Sequence, residues 1–282
     1  MRETIVELVP RRGPRDNKYS AGAVLVVGGS TGLTGAPSLA SEAALRAGAG
    51  IVTACVPSSL NLVLEQRLVE VMTRPCPDED GHLTPAAADE VLDAARRAAA
   101  VALGPGLGRT EEARELVRIL LSRLEMPVVV DADALWAVAG HLEWIFERGA
   151  PTVLTPHAGE AGRLLGRPSA WVSAHRLRAV ETAADEVGAT VLLKGADTLV
   201  ASPGKGVLVS DLGTPGLATA GSGDVLTGVV AAFLAKGMEP QLAAAAAAAA
   251  AGLAAREAGD RHGEAGLIAR DVIEALSPAL SR

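Results

Sequence analysis

Six short apolar runs constrain this chain more than any other feature. Ala23–Val27, Ile51–Val56, Ala99–Leu103, Pro127–Val130, Thr152–Leu154 and Thr190–Leu193 are too short for helices, and each stops at glycine or polar residues. Such runs predict buried strands. Helical patterns lie between them, including one from about Ala36, with Pro37 in its first turn, and the amphipathic stretch Glu111–Leu124. Strands alternating with helices predict an α/β fold with a mainly parallel central sheet covered on both faces. In open sheets of this kind, ligands bind outside the carboxyl ends of the strands. Six polar strand ends converging on one rim therefore point to a binding site there. The pattern changes after Lys194. Thr198–Ala201 and Val207–Ser210 flank Ser202-Pro-Gly-Lys-Gly206 and predict a β-hairpin near the C-terminal third. With no interdomain linker and no internal repeat, residues 1–282 are expected to form one domain.

The stretch Gly213–Gly228 carries the most chemistry. A glycine-rich loop ends in Gly221-Ser222-Gly223, and Asp224 opens an apolar helical segment. Amides at a helix start are unpaired, and the helix dipole adds partial positive charge there. Glycines let an anion approach that backbone, which makes the loop a phosphate cradle. Asp224 beside it lies within reach of a hydroxyl attacking the phosphate. By itself, Gly-x-Gly-Asp is equally the mark of an ordinary capped helix after a flexible loop.

Composition narrows the function classes. The formal net charge of −7 argues against nucleic-acid binding, and an aromatic content of 2% argues against base stacking. Hydrophobic residues at 49% mark a globular chain whose core is Ala, Val and Leu. Cys55 and Cys76 show neither metal-site nor disulfide spacing and read as two buried thiols in a reducing compartment, which implies a cytoplasmic protein. No metal site is expected from protein ligands. The N-terminus is charged where a signal peptide would be apolar. The apolar runs Val225–Ala235 and Leu242–Ala255 fall short of the roughly 20 residues that span a bilayer, so the second is expected to be a tightly packed core helix.

The remaining strand ends supply candidate ligand contacts. Gly28-Gly-Ser-Thr-Gly-Leu-Thr-Gly35 has neither dinucleotide-fingerprint nor P-loop spacing and reads as a close-approach loop for a substrate. Gly104-Pro-Gly-Leu-Gly108 reads as a backbone contact with a ligand. In Asp131-Ala-Asp133, Asp133 is expected to cap the next helix. Asp131 stays open between a structural role, positioning Mg²⁺ through water, and bonding a ligand. In Thr155-Pro-His-Ala-Gly-Glu160, His157 reads as a ligand contact and Glu160 as a helix cap. Lys194, at the strand edge nearest the cradle, would neutralise phosphate as a point charge. No nucleophile elbow is present, so a hydrolase triad is not expected.

Taken in order, Gly28-Gly-Ser-x-Gly-x-Thr-Gly-Ala36, Gly104-Pro-Gly-Leu-Gly108, Asp131-Ala-Asp-Ala-Leu135, Thr155-Pro-His-x-Gly-Glu160, Lys194-Gly-x-x-Thr198 and Gly221-Ser-Gly-Asp224 resemble the NAD(P)H-hydrate dehydratase family on the ribokinase-like three-layer α/β/α fold. The resemblance covers about residues 20–275. It implies a lyase that returns the S epimer of NADH or NADPH hydrate to NAD(P)H, consuming ADP or ATP with Mg²⁺. It also implies a homotetramer. By resemblance, Ala36, Gly106, His157 and Asp224 contact the hydrate, and Asp224 acts on its hydroxyl. Lys194, Gly195, Ala196, Asp197, Thr198, Gly221, Ser222 and Gly223 would hold the nucleotide. Family members commonly carry Asn where this chain has Thr214. The segment before the first strand is too short for an epimerase domain, so a stand-alone, ADP-dependent dehydratase without membrane or nucleic-acid partners is expected. The alternative is a small-molecule kinase of the same fold, acting on a vitamin precursor or a sugar. A nucleotide sensor without turnover is a third reading, against which Asp224 beside an intact glycine loop speaks.

Overall fold

Successive residues of a strand point to opposite sides of a sheet, so a run that is apolar throughout needs cover on both faces. The first strand shows this. Val24 and Val26 enter one hydrophobic cluster, while Leu25 and Val27 enter another. The computed structural model describes residues 7–11, 13, 15 and 17–281. The chain opens with β1 (Ala23–Val27), α1 (Gly35–Arg46), β2 (Ile51–Pro57), α2 (Asn61–Arg67) and β3 (Met72–Cys76). A small hairpin follows, β4 (Asp78–Glu79) with β5 (His82–Leu83), then α3 (Ala88–Ala95), β6 (Ala100–Leu103) and α4 (Glu111–Arg123). Next come β7 (Val128–Val130), α5 (Asp133–Val138), α6 (Glu143–Phe146), β8 (Thr152–Leu154), α7 (Ala158–Leu164), α8 (Ser169–Ala174) and α9 (Arg176–Val187). Strands β9 (Thr190–Leu193), β10 (Thr198–Ala201) and β11 (Leu208–Ser210) precede α10 (Ser222–Ala235), α11 (Pro240–His262) and α12 (Ala269–Leu280).

Nine strands form one sheet in the order β11-β10-β9-β8-β7-β6-β1-β2-β3. From β9 to β3 all neighbours are parallel, and β10 and β11 add an antiparallel hairpin at one edge. Helices α1, α10, α11 and α12 cover one face, and α3, α4, α5, α7 and α9 the other. This is the three-layer, ribokinase-like arrangement. The strand order reverses at β1, which pairs with β2 on one side and β6 on the other. Such a switch point opens a crevice above the carboxyl ends of the two strands. The loops Gly28–Gly35 and Gly104–Gly108 leave those two ends.

The sequence reading missed β3 and the β4–β5 hairpin. Met72-Thr-Arg-Pro-Cys76 has no apolar run, and Pro75 argues against a central strand. Pro75 is tolerated because β3 lies at the sheet edge, where a missing amide costs no ladder bond. The hairpin turns through Asp80 and Gly81, both with positive φ (50° and 75°), and rests on the first glycine loop. Thr31 N donates to Gly81 O at 3.1 Å and Thr31 Oγ1 to Asp80 O at 3.0 Å.

The alanine run of α11 is a core helix, as expected. Ala243–Ala251 are all buried, and Glu239 caps the helix by accepting from Leu242 N at 3.0 Å. Among the described residues no helix is long and apolar enough to cross a membrane. Small residues also set the contact between α1 and α10. A Cβ on Gly228 would lie 2.0 Å from Ala40 O. The two helices touch backbone to backbone, and α10 carries Asp224 at its start. Gly228→Ala is therefore expected to destabilise the protein by about 1–3 kcal/mol through overpacking, read as a lowered urea midpoint with unchanged slope. A midpoint equal to wild type would show that the helices are not in this contact.

Candidate active site

The two glycine loops at the switch point are interlocked. Gly29 N donates to Pro105 O at 3.0 Å, and Ser30 Oγ, fully buried, donates to Gly106 O at 2.9 Å. A Cβ on Gly28 would stand 2.1 Å from Pro105 O. Gly106 has φ 65°, and a Cβ there would approach Leu33 O at 2.5 Å and Ala36 Cβ at 3.1 Å. Two predicted hydrate contacts, Ala36 and Gly106, are thus neighbours, and bare backbone makes their closeness possible.

Asp133 corrects one expectation. It is the first residue of α5, not its N-cap, which is Ala132 at φ 51°. Its carboxylate instead accepts from Gly108 N at 3.0 Å and from Arg109 Nε at 2.8 Å. It clamps the second glycine loop onto the end of β7. The backbone prefers this arrangement because the loop amide is buried and needs an acceptor.

Asp131, at the end of β7, is 1% exposed. Lys194 Nζ donates to its Oδ1 at 2.7 Å, and Thr227 Oγ1 donates to its Oδ2 at 2.5 Å. Each oxygen thus accepts one hydrogen bond from protein, and Asp131 ties the end of β7 to the end of β9 and to α10. Lys194 is not a solvated surface lysine. Burial opposes its charge, but Asp131, then Glu160 and Asp224, offset this and hold its pKa above the ordinary value. Its amide donates to Pro156 O at 2.9 Å, which ties the end of β9 to the Thr155–Glu160 loop. There His157 caps α7. Its Nδ1 accepts from Gly159 N at 2.9 Å, while Glu160 Oε2 accepts from His157 N at 2.9 Å. This reciprocal pairing fixes the histidine ring at the rim, with its side chain exposed.

Asp224 sits in the first turn of α10, after Gly221 at φ 88°, and the helix start has no side-chain cap. The carboxylate accepts no hydrogen bond from the described residues. Burial, reinforced by the charge of Asp131 and partly offset by Lys194, pushes its pKa up to about 7, with Asp133 adding a smaller push. A carboxylate poised near neutrality suits a general base.

Beside it lies a cavity of about 410 Å³, lined on its polar side by Lys194, Gly195, Ala196, Thr198, Ser222 and Gly223. Its apolar side includes Leu226 of α10 and Ala248 and Ala251 of α11, where short side chains leave the space. Thr214 also lines it, with its Oγ1 buried and without a hydrogen-bond partner. Of the predicted nucleotide residues, Asp197 and Gly221 do not line the cavity. Asp197 offers its carbonyl to Arg176, and Gly221 caps α10. Ser222 lines it, but its hydroxyl donates to Leu217 O and Thr219 O, so it stabilises the loop. Ala36 and Asp224, in the first turns of α1 and α10, and Gly106 and His157, in loops, do not line this wall.

Sequence reasoning missed four supporting residues, Ser30, Arg109, Thr227 and Arg176. Arg176 donates to Leu193 O, Lys194 O and Asp197 O at 2.6–3.3 Å and braces the Lys194–Thr198 turn from α9. Nothing in its sequence context marks it. Thr227 was findable, since it lies three residues beyond Asp224 on a helix and so on the same face.

With this geometry in hand, the likenesses to known proteins fall into place. The family model described as NAD(P)H-hydrate dehydratase matches residues 24–278. The bifunctional NAD(P)H-hydrate repair enzyme of Moorella thermoacetica is 44% identical over 95% of this chain and 51% of that protein. That of Salinibacter ruber is 42% identical over 95% of this chain and 49% of that protein. The chain thus spans about half the length of the curated relatives it matches. The crystal structure of the ADP/ATP-dependent NAD(P)H-hydrate dehydratase of Bacillus subtilis, co-crystallised with ATP and Mg²⁺, superposes with a TM-score of 0.84 at 26% identity, covering 100% of this chain and 97% of that one. Matched almost end to end by that family model, the chain belongs to the NAD(P)H-hydrate dehydratase family.

Proposed function

We propose that this chain dehydrates the S epimer of NADH or NADPH hydrate, with ADP or ATP as the phosphoryl donor. The observation that carries the reading is Asp224, a largely buried carboxylate in the first turn of α10, beside the cavity at Lys194 and Gly223 and close enough to Asp131, Lys194 and Asp133 to feel their charges. The nucleotide occupies the cavity beside Lys194 and Gly223. The hydrate lies against Ala36, Gly106 and His157. Asp224 takes the proton of the C6 hydroxyl, whose oxygen attacks the terminal phosphoryl group and displaces AMP or ADP. The α10 amides and Lys194 meet the charge that develops on phosphate. The ring nitrogen's lone pair then expels phosphate from C6, and loss of a proton from C5 restores the double bond. A family of bifunctional relatives supports the view that epimerisation of the hydrate is a separate activity. One continuous sheet through the described chain supports reading residues 1–282 as a single domain. A cytoplasmic homotetramer belongs to the same proposal.

The described residues include no group of three or more His, Cys, Asp or Glu side chains placed to hold a metal ion. Each oxygen of Asp131 accepts one hydrogen bond, from Lys194 or from Thr227. Mg²⁺ would enter on the nucleotide, whose phosphate oxygens suit it.

The direct test is incubation with NADH hydrate and each nucleotide, following the return of NADH absorbance. Turnover is expected only with a nucleotide, with ADP the preferred one. Turnover without nucleotide would remove the phosphorylation step, and phosphorylation of a vitamin or sugar alcohol with no action on the hydrate would establish the kinase alternative.

Two variants test the roles. Asp224→Asn is expected to keep nucleotide binding and lose about 10²–10⁴-fold in turnover. In the wild-type protein, turnover is expected to fall as the pH drops through about 7, because protonation of Asp224 would remove the base. A rate that stays level down to about pH 5 would exclude Asp224 as the base, since its carboxylate must ionise to act. Lys194→Ala leaves Asp131 buried and unpaired, so a loss of about 3–5 kcal/mol of stability is expected. Pairing it with Asp131→Asn should recover most of that loss but not the nucleotide affinity, as calorimetry would show. Normal affinity in the double variant would return Lys194 to a purely structural role.

A further inference from the structure

The hydrate is a dinucleotide, and its pyrophosphate must enter an acidic site. Asp131, Asp133, Asp224 and Glu160 crowd the strand ends, on a chain whose net charge is −7. The cations there are mostly committed. Lys194 is bound to Asp131 and faces the nucleotide cavity, and Arg176 is used on three backbone carbonyls. Arg109 is different. It follows directly on the glycine loop that contains Gly106, and its side chain is 52% exposed. Its Nε donates to Asp133 Oδ1, while neither Nη group bonds to any described residue. The same carboxylate holds Gly108 N, so guanidinium and glycine loop are fixed relative to one another. An arginine anchored through Nε presents its two Nη groups as a fork, the geometry that bonds a phosphate through two oxygens.

We infer that Arg109 binds the pyrophosphate of the dinucleotide hydrate and thereby selects dinucleotide over phosphate-free substrates. This rests on the dehydratase reading above. Asp133 is then a positioning residue. It orients the fork and, through Gly108, the loop that meets the nicotinamide end, so the distance between the two subsites is set by one carboxylate.

The test compares two substrates, NADH hydrate and the hydrate of reduced nicotinamide riboside, which has no phosphate. Arg109→Gln keeps an N–H donor at about the depth of Nε and removes both the charge and the fork. It is expected to raise the KM for NADH hydrate roughly 10- to 100-fold, the loss of a charge-assisted hydrogen bond. The kcat, the KM for the riboside hydrate and the calorimetric Kd for ADP should stay near wild type. Arg109→Lys should recover part of the KM, because it restores charge without the fork. An unchanged KM for NADH hydrate overturns the proposal. So does an equal rise for both substrates, which would mean that Arg109 only supports the glycine loop through Asp133. If Arg109→Gln loses ADP binding and hence its fold, Arg109→Lys decides by the same comparison. Its KM should rise for NADH hydrate alone, and equal rises overturn the assignment. If the wild-type protein converts neither hydrate, the dehydratase reading fails and this proposal fails with it.

Discussion

Buried Asp131 and Thr227 and half-buried Lys194 form a triplet in which the lysine takes one carboxylate oxygen and the threonine the other. The three residues come from the ends of β9 and β7 and from the first turns of α10. A buried ion pair is weak evidence for stability, because desolvation offsets most of its attraction. Its effect here is registration. Neither charge can be left alone in the interior, so the two strand ends and the helix start are held at one relative position. Gly223 and Asp224 both ride on that helix start.

The same triplet governs charge at the site. Asp224 feels Asp131 as a repulsion and Lys194 as an attraction, on top of its own burial. The balance leaves its pKa at about 7, where it is a usable base without being permanently ionised. A nucleotide phosphate near Lys194 would add further negative charge and raise the proton affinity of the ionised carboxylate, which strengthens it as an acceptor of the hydroxyl proton. Proton affinity and nucleotide occupancy are thus coupled through one lysine.

Around this centre the protein substitutes backbone for side chain. With an aromatic content of 2%, it has few large groups to fill space. Gly228 against Ala40, Gly28 against Pro105 and Gly106 against Leu33 are approaches that any Cβ would block. The alanines of α11 play the same part, filling the core on one side and leaving the cavity beside Lys194 open on the other. Dense packing of small residues makes such contacts intolerant of one added methyl group.

The sequence by itself determined the sheet, the rim and the carriers of chemistry. Apolar runs ending in glycine point to parallel strands with loops at their carboxyl ends, and Gly221–Asp224 marks a helix start with free amides by local backbone physics alone. Helix capping by Glu160 was equally local. What it could not determine is partnership across distance. Asp131 and Lys194 are far apart in sequence, and only the fold makes them a pair. Asp133 read as a cap because the spacing suited one, yet a loop amide and an arginine outbid the helix start for its oxygens. Strand β3 was invisible because an edge strand with a proline needs neither an apolar run nor a full set of amides. Arg176 and Arg109 look alike as surface arginines in sequence. Only tertiary structure decides that one is consumed by carbonyls while the other keeps its fork unpaired, because hydrogen-bond partnership is a property of position in space and not of order along the chain.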